Sequence, residues 1–307
     1  MKTISGIVRS ALIAAVAFAV VVIPTTHAIE GESITLSPTD KHYALDPGAV
    51  VTDTLTIIND GSVPYTFVLY ARPYAVKNSD YEPSWDVINK QTDVYSWVKF
   101  DKSSYEIDAG KTLKVPYTIS VPKNASSGGR YGVIFAQTQP KAGDPQSVIR
   151  QKRVGSILYM TVNGNNQLAG ELLGTQALPL QTAVPLKTSS QVKNTGNVDF
   201  TDSTTLTVRD MFGNQKYFVQ RDISVLPGTT RNMHFDWPNS NSFGLYKVTI
   251  EHAFIGKKSS TTHVVLMIPL WLMALLVLIV LLGVGYNLTQ RRRRRKKSQR
   301  SHANSKT

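Results

Sequence analysis

The run from Val264 to Tyr286 limits what this chain can become more than any other feature. It holds 23 residues without a charge and is followed by seven consecutive basic residues, Arg291 to Lys297. As a helix it measures about 34 Å, against about 30 Å of bilayer hydrocarbon, so it can span with some tilt. Trp271 near one end and Tyr286 at the other supply the amphipathic rings expected at the two membrane–water boundaries. Pro269 falls in the first turns, where a missing N–H costs little. The basic block (Arg291, Arg292, Arg293, Arg294, Arg295, then Lys296 and Lys297) sets the orientation. By the positive-inside rule, residues 287–307 form a basic cytoplasmic tail, 264–286 the transmembrane helix, and the bulk of the chain is extracellular. This is a single-pass, type I arrangement in the cell membrane. The tail is also suited to anionic lipid headgroups, at about 1 kcal/mol per Lys or Arg near the surface.

The other end carries a different signal. Lys2 and Arg9 precede thirteen apolar residues, Ala11 to Ile23, and then Pro24. Thirteen residues make about 20 Å of helix, too short to span. Thr26-His27-Ala28 places small residues at −3 and −1 of a cut after Ala28. Residues 1–28 therefore read as a signal peptide, helical and cleaved. An uncleaved anchor is the alternative, and it leaves the middle of the chain on the same side.

Once the ends are assigned, the formal charge of +13 loses its apparent meaning. Residues 291–307 hold nine Lys or Arg, and the remainder after Lys2 and Arg9 is 23 basic against 21 acidic residues. The charge reports the tail and the signal, not a basic binding face. The tail has no aromatic residue on which bases could stack, so nucleic acid is not an expected partner. Cysteine is absent, which removes disulfides, thiolate metal sites and cysteine nucleophiles, and suits a Gram-positive-type bacterium.

Between the ends, two-residue alternation dominates. It runs through Val50–Ile58, through Leu113, Val115, Tyr117, Ile119 and Val121, and through Leu206, Val208, Val248 and Ile250. Turn signals separate these segments: Asp46-Pro47-Gly48, Asn59-Asp60-Gly61, Asp108-Ala109-Gly110, Asn194-Thr195-Gly196 and Leu226-Pro227-Gly228. The pattern N-x-G-x-V-x-aromatic-T occurs at Asn59 and again at Asn194. A second pair follows in the same order, Ala109-Gly110 with Val115 and Tyr117, then Pro227-Gly228 with Met233 and Phe235. Such an internal repeat implies a duplicated unit. The expected fold is all-β: two tandem immunoglobulin-like β-sandwich domains, at 29–165 and 168–263, joined near Asn163–Gln167. The N-x-G turn is expected to need Asn and Gly for positive φ. Residues 256–263 are expected to act as a short spacer to the membrane.

The layout, with Tyr43-Ala44-Leu45-Asp46-Pro47-Gly48, Tyr117 to Ala125, Gly128-Gly129-Arg130-Tyr131-Gly132-Val133-Ile134 and Arg153 to Tyr159, resembles the WxL-interacting surface proteins of Gram-positive bacteria. That resemblance implies a cell-wall-binding (peptidoglycan-binding) first domain and a second domain that binds other surface proteins. It places no functional residue by motif.

Chemistry is sparse. The six histidines form no H-x-H or H-x-x-x-H pair, so no metal or cofactor is expected, although His234 and His252 could meet in a sheet. No nucleophile elbow, P-loop or dinucleotide fingerprint is present, and the chain reads as non-enzymatic. One cluster is unusual: ten aromatic residues lie between Tyr65 and Tyr105, partly on a polar insertion at 77–95. Tyr81, Trp85 and Tyr95 on or beside that insertion are the candidate ligand-binding residues, since flat aromatic faces suit sugar rings and protein hot spots. The expectation is a membrane-anchored surface protein that binds cell-wall polysaccharide or peptidoglycan, other surface proteins, or both. The rival is a pilus-type assembly or chaperone-like factor that works by strand addition at a sheet edge.

Overall fold

A computed structural model describes residues 31–139, 151–238 and 243–303, with side chains as far as Gln290. The signal peptide lies outside the described residues, as do the side chains of Arg291 to Arg295. The fold is all-β apart from one long C-terminal helix.

The first sandwich contains β1 (Ile34–Ser37), β2 (Asp40–Leu45), β3 (Val50–Asn59), β4 (Tyr65–Pro73), β5 (Ala75–Val76), β6 (Pro83–Ser84), the 3₁₀ turn η1 (Asp93–Trp97), β7 (Val98–Phe100), β8 (Tyr105–Ile107), β9 (Thr112–Ser120), β10 (Gly128–Thr138) and β11 (Arg153–Val162). One sheet runs β1-β3-β9-β7 and the facing sheet β2-β11-β10-β4-β8. The first segment serves both sheets. β1 pairs antiparallel with β3, the chain passes a cis Ser37–Pro38 peptide, and β2 pairs parallel with β11. Alternation buries Leu55 and Ile57 of β3 with Val115, Tyr117 and Ile119 of β9 against Phe67, Ile134, Leu158 and Met160 of the facing sheet. β10 is buried on both faces, and its middle, Val133 to Ala136, is an unbroken apolar run.

The second sandwich repeats the plan with β12 (Gly170–Gln176), β13 (Leu180–Gln181), β14 (Leu186–Asn194), β15 (Phe200–Asp210), β16 (Gln215–Val225), β17 (Thr230–Trp237), β18 (Gly244–Phe254) and β19 (Lys257–Met267). Its sheets run β12-β14-β17 and β13-β19-β18-β15-β16. β13 lies parallel to β19, as β2 does to β11.

The duplication extends to single atoms. The Asn59 carboxamide donates to the Val63 carbonyl at 2.9 Å and the Asp108 carbonyl at 3.1 Å, and accepts from the Gly61 amide at 3.0 Å. Asn194 donates to Val198 and Val225 at 2.9 and 2.8 Å and accepts from Gly196 at 2.8 Å. Positive φ does not explain the glycines here: neither Gly61 nor Gly196 adopts it. A Cβ at Gly61 would lie 2.2 Å from the Gly31 carbonyl oxygen, and one at Gly196 would lie 2.2 Å from that of Gln167. These glycines make room for the incoming chain. Positive φ belongs instead to the second repeated turn, at Gly110 and Gly228.

The apolar run divides. Its first four residues belong to β19, where Val265 and Met267 are fully buried. The helix α1 (Leu270–Ala303) begins after Pro269, whose carbonyl accepts from the Leu272 and Met273 amides. Leu270–Gln290 is long and apolar enough to cross a membrane. The second domain thus ends at Met267 rather than His263. The presumed spacer at 256–263 is largely sheet, and only Ile268 and Pro269 connect β19 to α1. A strand buried at alternate positions and the start of a long apolar helix are both apolar, so composition alone could not find the border.

Candidate functional site

The insertion after β4 folds over the outer face of β10 and reaches the second domain. The β5–β6 hairpin presents Tyr81, which is held at φ 62°. The Tyr81 hydroxyl lies 2.6 Å from Thr229 Oγ1 and accepts the Leu226 amide at 2.8 Å. The Arg231 guanidinium sits 4.0 Å from the centre of the Tyr81 ring. Beside it, the Asn232 amide donates to the Ser79 carbonyl at 2.6 Å, and the Asn232 carboxamide donates to Ser79 Oγ at 2.9 Å and Asp80 Oδ1 at 2.8 Å. Asn232 lies on β17, an edge strand, so the first domain pairs with that edge directly.

A second set of contacts starts from β10. The Tyr131 hydroxyl donates to Asp199 Oδ1 at 2.9 Å and accepts the Asp199 amide at 3.0 Å. The Gly129 amide donates to the Asn197 carbonyl at 2.8 Å. Between the two sets, Tyr74, Tyr131 and Leu226 form an apolar cluster, with Trp85 and Tyr159 packed against it. Burial raises the Tyr131 phenol well above its usual range, and the adjacent Asp199 carboxylate adds to the effect. Burial also raises Tyr81, opposed by its bonds to Thr229 and Leu226 and by the Arg231 charge.

Two of the three aromatic residues singled out from sequence therefore meet at this junction. Tyr81 spans it, and Trp85 stacks on Tyr74 (centroids 5.6 Å apart) with its edge against Phe135 (5.1 Å). Tyr95 sits half-buried on η1, outside that cluster. The partners in the second domain had no separate signal in sequence. Leu226-Pro227-Gly228 reads only as a turn, and Arg231 and Asn232 as ordinary strand residues. Arg130, buried beside the junction, pairs with Asp93 at 3.2 Å and donates to the Ser126 carbonyl at 2.6 Å. Burial raises the Asp93 carboxyl, with the Arg130 charge opposing.

His252 and His234 do not meet. His234 is exposed on β17, while His252 points into the second core. There His252 Nδ1 lies 2.7 Å from Asp202 Oδ2, which also accepts from Thr204 at 2.9 Å. Both side chains of the pair are fully buried. No group of three potential metal ligands occurs among the described residues.

The other feature suited to binding is an open edge. In the first domain, the edge strands β1, β2, β7 and β8 have four, six, three and three residues. In the second, β16 runs for eleven residues, pairs with β15 on one side only, and is the longest edge strand among the described residues. In the first domain β8 covers only Tyr65–Phe67 of β4 and β7 only Tyr117–Ile119 of β9, while the longest edge strand lies in the second domain.

No family model matches the sequence, and no curated protein matches it. Some solved structures are similar at low identity. The class 5 fimbriae chaperone CfaA is 10% identical with a TM-score of 0.39, over 76% of this chain and 99% of that one. A chain from the Salmonella enterica complex of SafA pilin with SafB chaperone gives 12% and 0.39, over 77% and 100%. The Pseudomonas aeruginosa CupB2 chaperone gives 11% and 0.36, over 75% and 99%. At these identities the likeness is one of fold.

Proposed function

We propose that this chain is a non-enzymatic, single-pass membrane-anchored surface protein that binds a protein partner by strand addition at β16. The observation that carries this reading is the full-length β16 edge, whose outward N–H and C=O groups have no strand beside them. The hydrogen-bonded junction supports it, because two domains locked together hold that edge at a fixed angle to the membrane. A mobile pair would lose affinity to the cost of ordering.

Donors alternate along an antiparallel edge strand, so adjacent residues point their N–H groups to opposite sides. Of Val219→Pro and Gln220→Pro, one removes an outward donor and the other a donor in the ladder to β15. The outward variant is expected to keep the thermal midpoint and lose retention of surface proteins from a solubilised membrane fraction. The ladder variant should lower the midpoint. Retention on purified cell-wall polymer without protein, unchanged by either proline, would replace this reading with the wall-binding one that the family resemblance implies.

A further inference from the structure

The strand registers show which end of the second domain meets the membrane. Asp210 of β15 is level with Tyr246 of β18, and Tyr246 with Val265 of β19. Two residues beyond Val265 the strand ends at Met267, and α1 begins after Ile268 and Pro269. Met211 and Phe212 form the turn that follows Asp210, so they project from this same end. Phe243 and Leu245 enter β18 there, with Leu245 paired to Leu266. The 177–185 segment is tied to the same end, since the Ile268 amide donates to the Gln181 carbonyl and the Leu266 amide to that of Pro179.

That end is apolar where a soluble domain would be polar. Phe212 is 81% exposed, Leu178 71%, Met211 63% and Phe243 62%, with Val184 and Leu245 also open. Exposed basic residues ring them: Arg209, Lys187, Lys216 and Lys247. Asp210 faces Lys216 at 3.1 Å, and Asp236 of β17 lies opposite Lys187 in the ladder. Aromatic and aliphatic tips within a basic ring match the interfacial layer of a bilayer, where rings sit among headgroups and cations meet phosphate.

We propose that these loops insert into the outer leaflet of the membrane that α1 enters, seating the second domain on the bilayer. The occupant follows from covalent continuity: two residues separate the sandwich from the spanning helix, so this end cannot move away from lipid. The inference rests on the membrane-spanning reading of α1. It removes free swivelling of the ectodomain and makes the Ile268–Pro269 connection a fixed mount.

The full chain contains no cysteine, so a single introduced cysteine can be labelled alone. The chain is reconstituted in vesicles of phosphatidylcholine and phosphatidylglycerol, with an environment-sensitive fluorophore at Phe212→Cys, Leu178→Cys, Lys258→Cys or Val277→Cys. Lys258 marks the far end of the domain and Val277 the helix interior. The Phe212 and Leu178 sites are expected to show blue-shifted emission, quenching by a shallow spin-labelled lipid and protection from aqueous dithionite. Lys258 should show none of these, and Val277 should be quenched by a deep label. Dithionite access at Phe212 and Leu178 equal to that at Lys258, with Val277 still quenched, overturns the seating and leaves the spanning helix intact. Protection without lipid quenching also overturns it, since a second protein copy would then cover the loops. An unquenched Val277 removes the spanning helix and the seating together. With the loops seated, Met211→Ser with Phe212→Ser should weaken the lipid quenching at Leu178; no change there counts against seating.

Discussion

Asn59 and Asn194 show how a repeated motif can be read correctly and explained wrongly. Their spacing revealed the duplication, but the glycine two positions later is required for the approach of another segment, not for its φ. That reason was not legible, because the approaching carbonyls of Gly31 and Gln167 lie about thirty residues away in sequence. The asparagine closes two loops with one buried side chain, which makes it costly to remove. Asn194→Ala strands the Val198 and Val225 carbonyls and leaves the Gly196 amide only its bond to the Ala169 carbonyl, for an expected loss of about 2–4 kcal/mol. Asn194→Asp keeps the acceptor but faces two carbonyls with a carboxylate, so it should be no milder. Denaturant unfolding of the detergent-solubilised chain checks both, and a loss under about 0.5 kcal/mol, the range of ordinary surface changes, would mean that the bracket is not structural.

Among the elements, the insertion between β4 and β8 makes most of the described side-chain contacts between the two domains. Its aromatic excess was visible in sequence, and so was its polar, loop-like character. Its destination was not, since Tyr81 binds residues about 145 positions further on and nothing local encodes that contact. Tyr81→Phe deletes one hydroxyl with two partners, and the expected cost is about 1–3 kcal/mol. Hydrogen exchange should show it as faster exchange at the Leu226 amide while the core amides of β3 and β9 stay protected. Equal exchange in both proteins would argue that the junction does not depend on this bond. The β15–β16 turn has its own signature. Desolvation alone would raise Asp210, but bonds from Asn214, Lys216 and the Phe212 amide outweigh it and bring the pKa down to about 2. A depressed carboxylate stabilises the folded turn above the ordinary aspartate pKa of about 3.9. That contribution falls away as the pH drops through about 2. Protection of the Phe212 and Asn214 amides, taken relative to the unfolded-chain exchange rate at each pH, should therefore be flat above about pH 5 and fall in acid, and Asp210→Asn should remove that pH dependence.

At the scale of the whole molecule, the second domain and the apolar helix are continuous: the last strand of the second sandwich runs almost directly into α1. The sequence pattern anticipated a sandwich followed by an apolar helix but placed their border at His263, and the difference can be tested. A chain ending at His263 loses Val264–Met267, and with them the ladder to Leu245 and the parallel contact with Leu180. Val265 and Met267 are fully buried, and losing both side chains forfeits about 3–6 kcal/mol of hydrophobic burial before any hydrogen bond is counted. Domain stabilities are about 5–15 kcal/mol, so that loss takes much of what holds the second sandwich together. A chain of residues 29–268 should therefore fold in solution and melt cooperatively. The chain of residues 29–263 should keep a folded first domain but show a loosened second one, with exchange spreading through β18 and β13. Matching melting curves and exchange maps for the two would mean that β19 is complete without its last turn of apolar residues, and that the anchor begins where hydropathy alone had put it.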